Sequence, residues 1–148
     1  MAHNGTYTPL YDIIDAPDSL DRVALERALI YILQDLEEKP CLFTIKFTDD
    51  TEIQQLNKDF RGKDKPTNVL SFPNDSEDYL GDIAISIDTI KREAEEQGKP
   101  YEHHTLHMII HGFLHLLGFD HIDDDEAEEM ESFEIAVLQE IGIKNPYI

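Results

Sequence analysis

Three of the chain's seven histidines fall in one short run, His111-Gly-Phe-Leu-His115-Leu-Leu-Gly-Phe-Asp-His121. Residues four apart lie on one face of a helix, one turn above each other, so His111 and His115 can turn two imidazoles toward a single cation. Gly118 can adopt the left-handed conformation that ends a helix, which folds the chain back and lets His121 reach the same ion. Three neutral imidazoles with a fourth position left for water is the arrangement of catalytic zinc, whereas structural sites are closed by four protein ligands. Zinc lowers the pKa of its water from about 15.7 to roughly 7, so the spacing predicts a hydrolase using one Zn2+ ion. Nickel, iron or manganese suit the same donors, because availability as well as ligand type selects the metal. Metzincin proteases share the spacing and place a general-base Glu after the first histidine; here that position is Gly112, which argues against their mechanism.

Other side chains could assist. Lys58, Arg61, Lys63 and Lys65 lie close together and offer a phosphate contact, although lysines in a polar loop are commonly just solvated. His107, one turn before His111, is placed to support a ligand from behind. Asp120 could orient His121 or simply serve the turn. His103 and His104 are expected to be solvated at a helix start, and His3 to sit on a mobile terminus. Ser71 lacks the context of a nucleophile and reads as a strand hydroxyl, Cys41 as a small buried apolar group, and Asp123-Asp124-Asp125-Glu126 as a solvated helix start rather than a second cation site.

These residues must be carried by a chain of 148 residues, which fits one domain, residues 1–148, with a single core. Helical spacing of Leu25, Ala28, Leu29, Ile32, Leu33 and Leu36 follows a cap at Asp18 or Ser19 and stops at Lys39-Pro40. Cys41 to Thr48 reads as a strand, Thr51 to Phe60 as a helix, and Asn68 to Phe72 with Tyr79 to Ile87 as two strands suited to antiparallel pairing. Asp88 can cap a helix ending at Gly98; the histidine helix spans about Glu102 to Leu117, and a last helix runs from Asp124 to Glu140 with Phe133, Val137 and Ile141 inward. Helices mixed with short strands predict an α+β domain, a small mixed sheet packed with several helices.

The formal charge of −20 repels polyanions and speaks against broad nucleic-acid affinity, DNA included. A lone cysteine and an opening, MAHNGTYTPLYDIID, with neither a basic nor an apolar leader region lead to the expectation of a cytoplasmic protein. Apolar runs far shorter than about 20 residues lead to the expectation of no membrane span.

HGFLHLLGFDH, preceded by RGKDKPTNVLSFP and GDIAIS, resembles the YbeY family of bacterial endoribonucleases, with three blocks in the right order between about Asp49 and Glu140. The resemblance implies a zinc-dependent endoribonuclease directed at single-stranded RNA, acting in ribosomal RNA maturation and ribosome quality control. It implies metal ligation by His111, His115 and His121, a functional arginine at Arg61, and delivery of the substrate by a ribosomal protein or assembly factor. Phe119 stands where the family usually has tyrosine. Two other readings stay open: hydrolysis of a peptide, amide or small phosphate ester, and a non-enzymatic, metal-stapled ribosome assembly factor with an acidic surface for basic partners.

Overall fold

Alternating apolar side chains along Leu42–Thr48 put one row of that segment into the core, Tyr79–Ser86 is buried on both faces from Ile83 onward, and these two strands form the middle of the sheet. In the computed structural model, which describes residues 7–120 and 123–147, the chain runs β1 (Tyr11–Ile14), α1 (Arg22–Leu36), β2 (Leu42–Thr48), α2 (Asp50–Arg61), β3 (Val69–Pro73), β4 (Tyr79–Ser86), α3 (Ile87–Gln97), α4 (Tyr101–Leu116) and α5 (Asp124–Glu140). The four strands lie in the order β1-β2-β4-β3. β1 and β4 both run parallel to β2, and β3 returns antiparallel to β4 with Val69 opposite Ile85. The expected α+β fold with a small mixed sheet is the one observed.

β1 was not foreseen from the sequence. It is a four-residue edge strand whose exposed positions alternate with half-buried ones, and pairing to β2 holds it in place. The first helix starts later than expected: Asp21, not Asp18 or Ser19, accepts from the Ala24 amide at 3.0 Å, because a turn closed from Leu20 to Pro17 precedes it. Likewise Ser86 rather than Asp88 caps α3; Asp88 instead accepts from the Asp50 amide at 3.1 Å, tying the starts of α2 and α3 together.

The sheet separates two sets of packed side chains. On one face Phe43, Ile45, Ile83 and Ile85 meet α1 and α4 through Leu25, Leu29, Ile109 and Phe113, all essentially without solvent contact, and α5 packs against those two helices. On the other, Leu70 and Ala84 pack against Ile53 of α2, with Leu56 and Phe72 beside them. Each such large side chain contributes roughly 1.5–3 kcal/mol when fully buried, which outweighs intrinsic helix preference and fixes which face each helix presents. No helix among the described residues is long and apolar enough to cross a membrane.

Candidate metal centre

α4 is the element that carries the histidines, and its seat is set by a glycine. A Cβ on Gly112 would stand 2.9 Å from Ile83 Cγ2 and 3.2 Å from both Ser71 Oγ and Val69 Cγ2, so the helix lies directly on β3 and β4. Ser71 donates to the Gly112 carbonyl at 3.0 Å, an anchoring role consistent with a strand hydroxyl. The metzincin general base has no room at this position.

Two of the predicted ligands are brought together. His111 and His115 are half-buried, and their Nε2 atoms face each other at 3.1 Å. Each ring is oriented through its other nitrogen: His111 Nδ1 lies 2.9 Å from Glu134 Oε2, and His115 Nδ1 lies 2.9 Å from the Phe119 carbonyl. A carboxylate and a carbonyl only accept, so both Nδ1 atoms carry the hydrogen and both Nε2 atoms present lone pairs. Lone pairs facing at this distance repel unless a proton or a cation lies between them. Adjacent nitrogens on a tetrahedral zinc with bonds of 2.0–2.1 Å stand about 3.3 Å apart, so this donor set fits such an ion.

The chain reversal that follows is the predicted one. Gly118 has φ +102°, the Gly118 amide donates to the His115 carbonyl at 3.1 Å, and the Phe119 amide donates to Leu114 at 3.0 Å. This turns the Phe119 carbonyl onto His115. The Phe119 ring stacks on Phe133 with centroids 5.7 Å apart, which ties the turn to α5. His121, the third predicted ligand, lies outside the described residues, as does His3. Among the described residues no group of three His, Cys, Asp or Glu side chains is assembled to hold a metal.

Sequence reasoning missed Glu134, although it orients the site. Fully buried on α5, it accepts from His107 Nε2 at 2.6 Å, from His111 Nδ1 and from the Tyr147 hydroxyl at 2.8 Å. Burial pushes its carboxyl up, but hydrogen bonds and charge from His107 and His111 outweigh that and hold it down to about 2. Burial and the Glu134 charge in turn push the Tyr147 phenol up. The signal was present: Glu134 falls on the stripe of Met130, Val137 and Leu138, all buried, where a carboxylate needs partners. His107 is thus the buried supporting histidine expected from its place one turn before His111.

His104 corrects an expectation. It is buried rather than solvated, with Nε2 2.8 Å from Glu93 Oε1, because α4 turns it toward α3; His103 is exposed as expected. Cys41 is only half-buried, its thiol 3.5 Å from the Glu77 carbonyl, since it precedes β2 instead of entering the core. Asp123 caps α5 by accepting from the Glu126 amide at 2.8 Å, so the acidic run is a helix start. Asp120 is exposed beside a shallow depression of about 270 Å3 that it shares with Glu126 and Glu129.

Arg61 ends α2 and is exposed. Its loop is held in shape: the buried Asn57 donates to the Lys65 carbonyl at 2.9 Å, and Gln54 to Asp64 at 3.0 Å. Lys58 lies 4.0 Å from Asp64, a solvent-facing pair. No hydrogen bond or ion pair among the described residues joins Arg61 to the histidines, which lie on the helix across β3.

A mixed sheet bearing a helix that brings two oriented imidazoles face to face defines a small α+β protein with a paired-histidine site. The family model described as Endoribonuclease YbeY matches residues 15–142. The chain is 44% identical over 145 residues to a protein of that name from Bradyrhizobium sp. strain BTAi1, covering 90% of this chain and 85% of that one. A namesake from Rhodopseudomonas palustris is 53% identical over 111 residues, 70% of this chain and 58% of the relative's length. The solution structure of TM1509 from Thermotoga maritima superposes with a TM-score of 0.63 at 29% identity, covering 89% of each chain. The chain belongs to the YbeY family of endoribonucleases.

Proposed function

We propose that this chain is a zinc-dependent endoribonuclease of the cytoplasm that cuts single-stranded RNA in ribosomal RNA maturation and ribosome quality control. The observation that carries the reading is the approach of His111 and His115 Nε2 to 3.1 Å with both Nδ1 atoms held by acceptors, an arrangement that a cation stabilises. His121 is the third ligand of the proposal. The cation, when bound, supplies a Lewis acid and an activated water at neutral pH. RNA as substrate is supported by the names of the relatives.

The chain's own residues prepare the site. Glu134 and the Phe119 carbonyl hold the two imidazoles in the tautomer whose Nε2 lone pair can coordinate a cation. Arg61, exposed at the end of α2, takes the scissile phosphate through paired N–H donors and balances the charge that grows on it. A net charge of −20 opposes unaided capture of a polyanion, which supports delivery by a basic ribosomal protein or an assembly factor.

The test is cleavage of labelled single-stranded and duplex RNA by the protein as purified, chelated, zinc-restored, and as His115→Ala and Arg61→Ala. Single-strand cleavage lost on chelation and in both variants, and restored by zinc, is expected. Cleavage that survives chelation or His115→Ala would overturn the proposal, and no cleavage with any metal would favour a non-enzymatic assembly factor.

A further inference from the structure

The apolar stripe of α2 runs on past the part of the sheet that buries it. Ile53 is fully buried, Leu56 is half-buried, and Phe60, one turn further on, is 68% exposed. Its ring is not loose, because it makes a T-shaped contact with the half-buried Phe72 of β3, centroids 5.3 Å apart at 67°. Phe72 is fixed in turn by its place opposite Asp82 of β4 and by packing beside Leu70 and Ala84. An aromatic ring that is propped from one side and open to solvent elsewhere offers a surface on which a flat partner can stack.

The charge around that ring is the reverse of the chain's. Four of the twelve Lys and Arg residues stand between Lys58 and Lys65, against two Asp, in a chain of net charge −20. Both acids are occupied: Asp59 accepts from Gln55 at 2.8 Å, and Asp64 accepts from Gln54 at 3.0 Å with Lys58 4.0 Å away. Arg61, Lys63 and Lys65 are exposed and enter no ion pair among the described residues. Their loop has a fixed frame, in which the Gly62 amide donates to the Lys58 carbonyl at 3.1 Å and the Lys63 amide to the Asn57 carbonyl at 3.3 Å. The exposed Asp82 opposite Phe72 repels phosphate from the sheet side. The backbone of a polyanion therefore belongs on the loop and its bases on the rings, the combination by which unpaired strands are held.

We propose that Phe60, propped on Phe72 and flanked by Arg61, Lys63 and Lys65, is the platform on which one unpaired base of the RNA stacks, and that it sets the preference for single strands. A base inside a duplex has both faces covered by its neighbours, so an open ring can take only a base that is unpaired. This assignment rests on the ribonuclease reading. β3 is the last strand of the sheet, and adjacent side chains of a strand point to opposite faces. Phe72 packs on the α2 side, while its neighbour Ser71 holds the carbonyl of Gly112, the residue after His111. A strand that stacks on Phe60 and rounds that edge is led past Arg61 toward the paired histidines.

The chain has no tryptophan, so Phe60→Trp carries a single reporter whose emission a stacked base quenches. The full chain is mixed with hexaadenylate in a stopped flow, so that binding is read before cleavage. The emission is expected to fall with hexaadenylate and to hold steady with a ribose-phosphate hexamer lacking bases and with a hairpin duplex. Anisotropy of a labelled hexaadenylate should show binding weakened about fivefold or more in both Phe60→Ala and Phe60→Leu, with the slope of affinity against salt unchanged. Lys63→Gln should instead lower that slope by about 0.7, the share of one phosphate contact on a single strand. Equal quenching by the strand without bases, Phe60→Leu binding as tightly as the native chain, or a preference for single strands unchanged in Phe60→Ala would overturn the proposal. So would a lack of affinity for every oligonucleotide, which would leave the ring to a protein contact. Quenching without any turnover in the cleavage assay would count against the ribonuclease reading alone.

Discussion

Replacing Glu134 with Gln keeps the shape of the side chain and removes its capacity to accept on both oxygens. In the native site three donors converge on this carboxylate, from His107, His111 and Tyr147. An amide offers one oxygen and one NH2 group, so at least one buried donor loses its acceptor, a cost of about 1–3 kcal/mol. Against the burial that raises it, the same histidine hydrogen bonds hold the carboxyl down to about 2, so the native site favours the ionised acceptor that the amide cannot reproduce. If the NH2 group faces His111 Nδ1, that ring must become an acceptor there and carry its hydrogen on Nε2, where it opposes the cation. Loss of such a supporting carboxylate weakens metal affinity by about 10–100-fold. The assay pairs zinc competition against a chromophoric chelator with urea unfolding of the metal-free chain. Zinc affinity within twofold of wild type, together with unchanged stability, would refute the claim that Glu134 fixes the His111 tautomer.

Three further outcomes follow from the same geometry. Because the folded-state pKa of Glu134 is depressed, its contribution is present above about pH 4.5 and is lost as pH falls toward about 2; the melting-temperature gap between wild type and Glu134→Gln, measured with chelator, should therefore narrow over that window, and a constant gap would contradict it. Gly112→Ala places a methyl 2.9 Å from Ile83 Cγ2; overpacking of about 1–3 kcal/mol exceeds the helix gain of up to about 1 kcal/mol, so urea unfolding should show net destabilisation. Arg61→Ala should leave the melting temperature within a degree or two and lower RNA kcat/KM by about 100-fold or more, as expected for one lost contact to a growing charge; equal loss of folding and activity would point to a structural role.

What could be read from the residues alone depended on how far apart in the chain the decisive partners lie. The α1, α4 and α5 stripes, the reversal at Gly118 and the antiparallel β3–β4 pair all follow from local spacing, and they appear where expected. β1 did not, because a four-residue segment that alternates Tyr, Asp, Ile and Ile owes its strand form to its neighbour β2. Helix starts were misplaced by two or three residues where several Asp and Ser residues competed as caps, and a turn at Pro17–Leu20 decided for Asp21. The carboxylates that hold the histidines come from α3 and α5, 11 residues from His104 in the case of Glu93 and 27 from His107 in the case of Glu134. That distance is why His104 read as solvated and Glu134 went unnoticed. The spacing of His111 and His115 on one helix was legible because it is local; the phosphate contact proposed for Arg61 depends on a substrate and has no counterpart within the chain.

The two facing imidazoles are steadied by different parts of the protein. Glu134, a side chain, holds His111, while the main-chain carbonyl of Phe119 holds His115. Every amino acid has a carbonyl, so no substitution at position 119 deletes the second contact, whereas a single base change at the codon for Glu134 can abolish the first. The centre is therefore unequally exposed to mutation: drift can reach the His111 side through one side chain, but must disturb the backbone turn at Gly118 to reach the other.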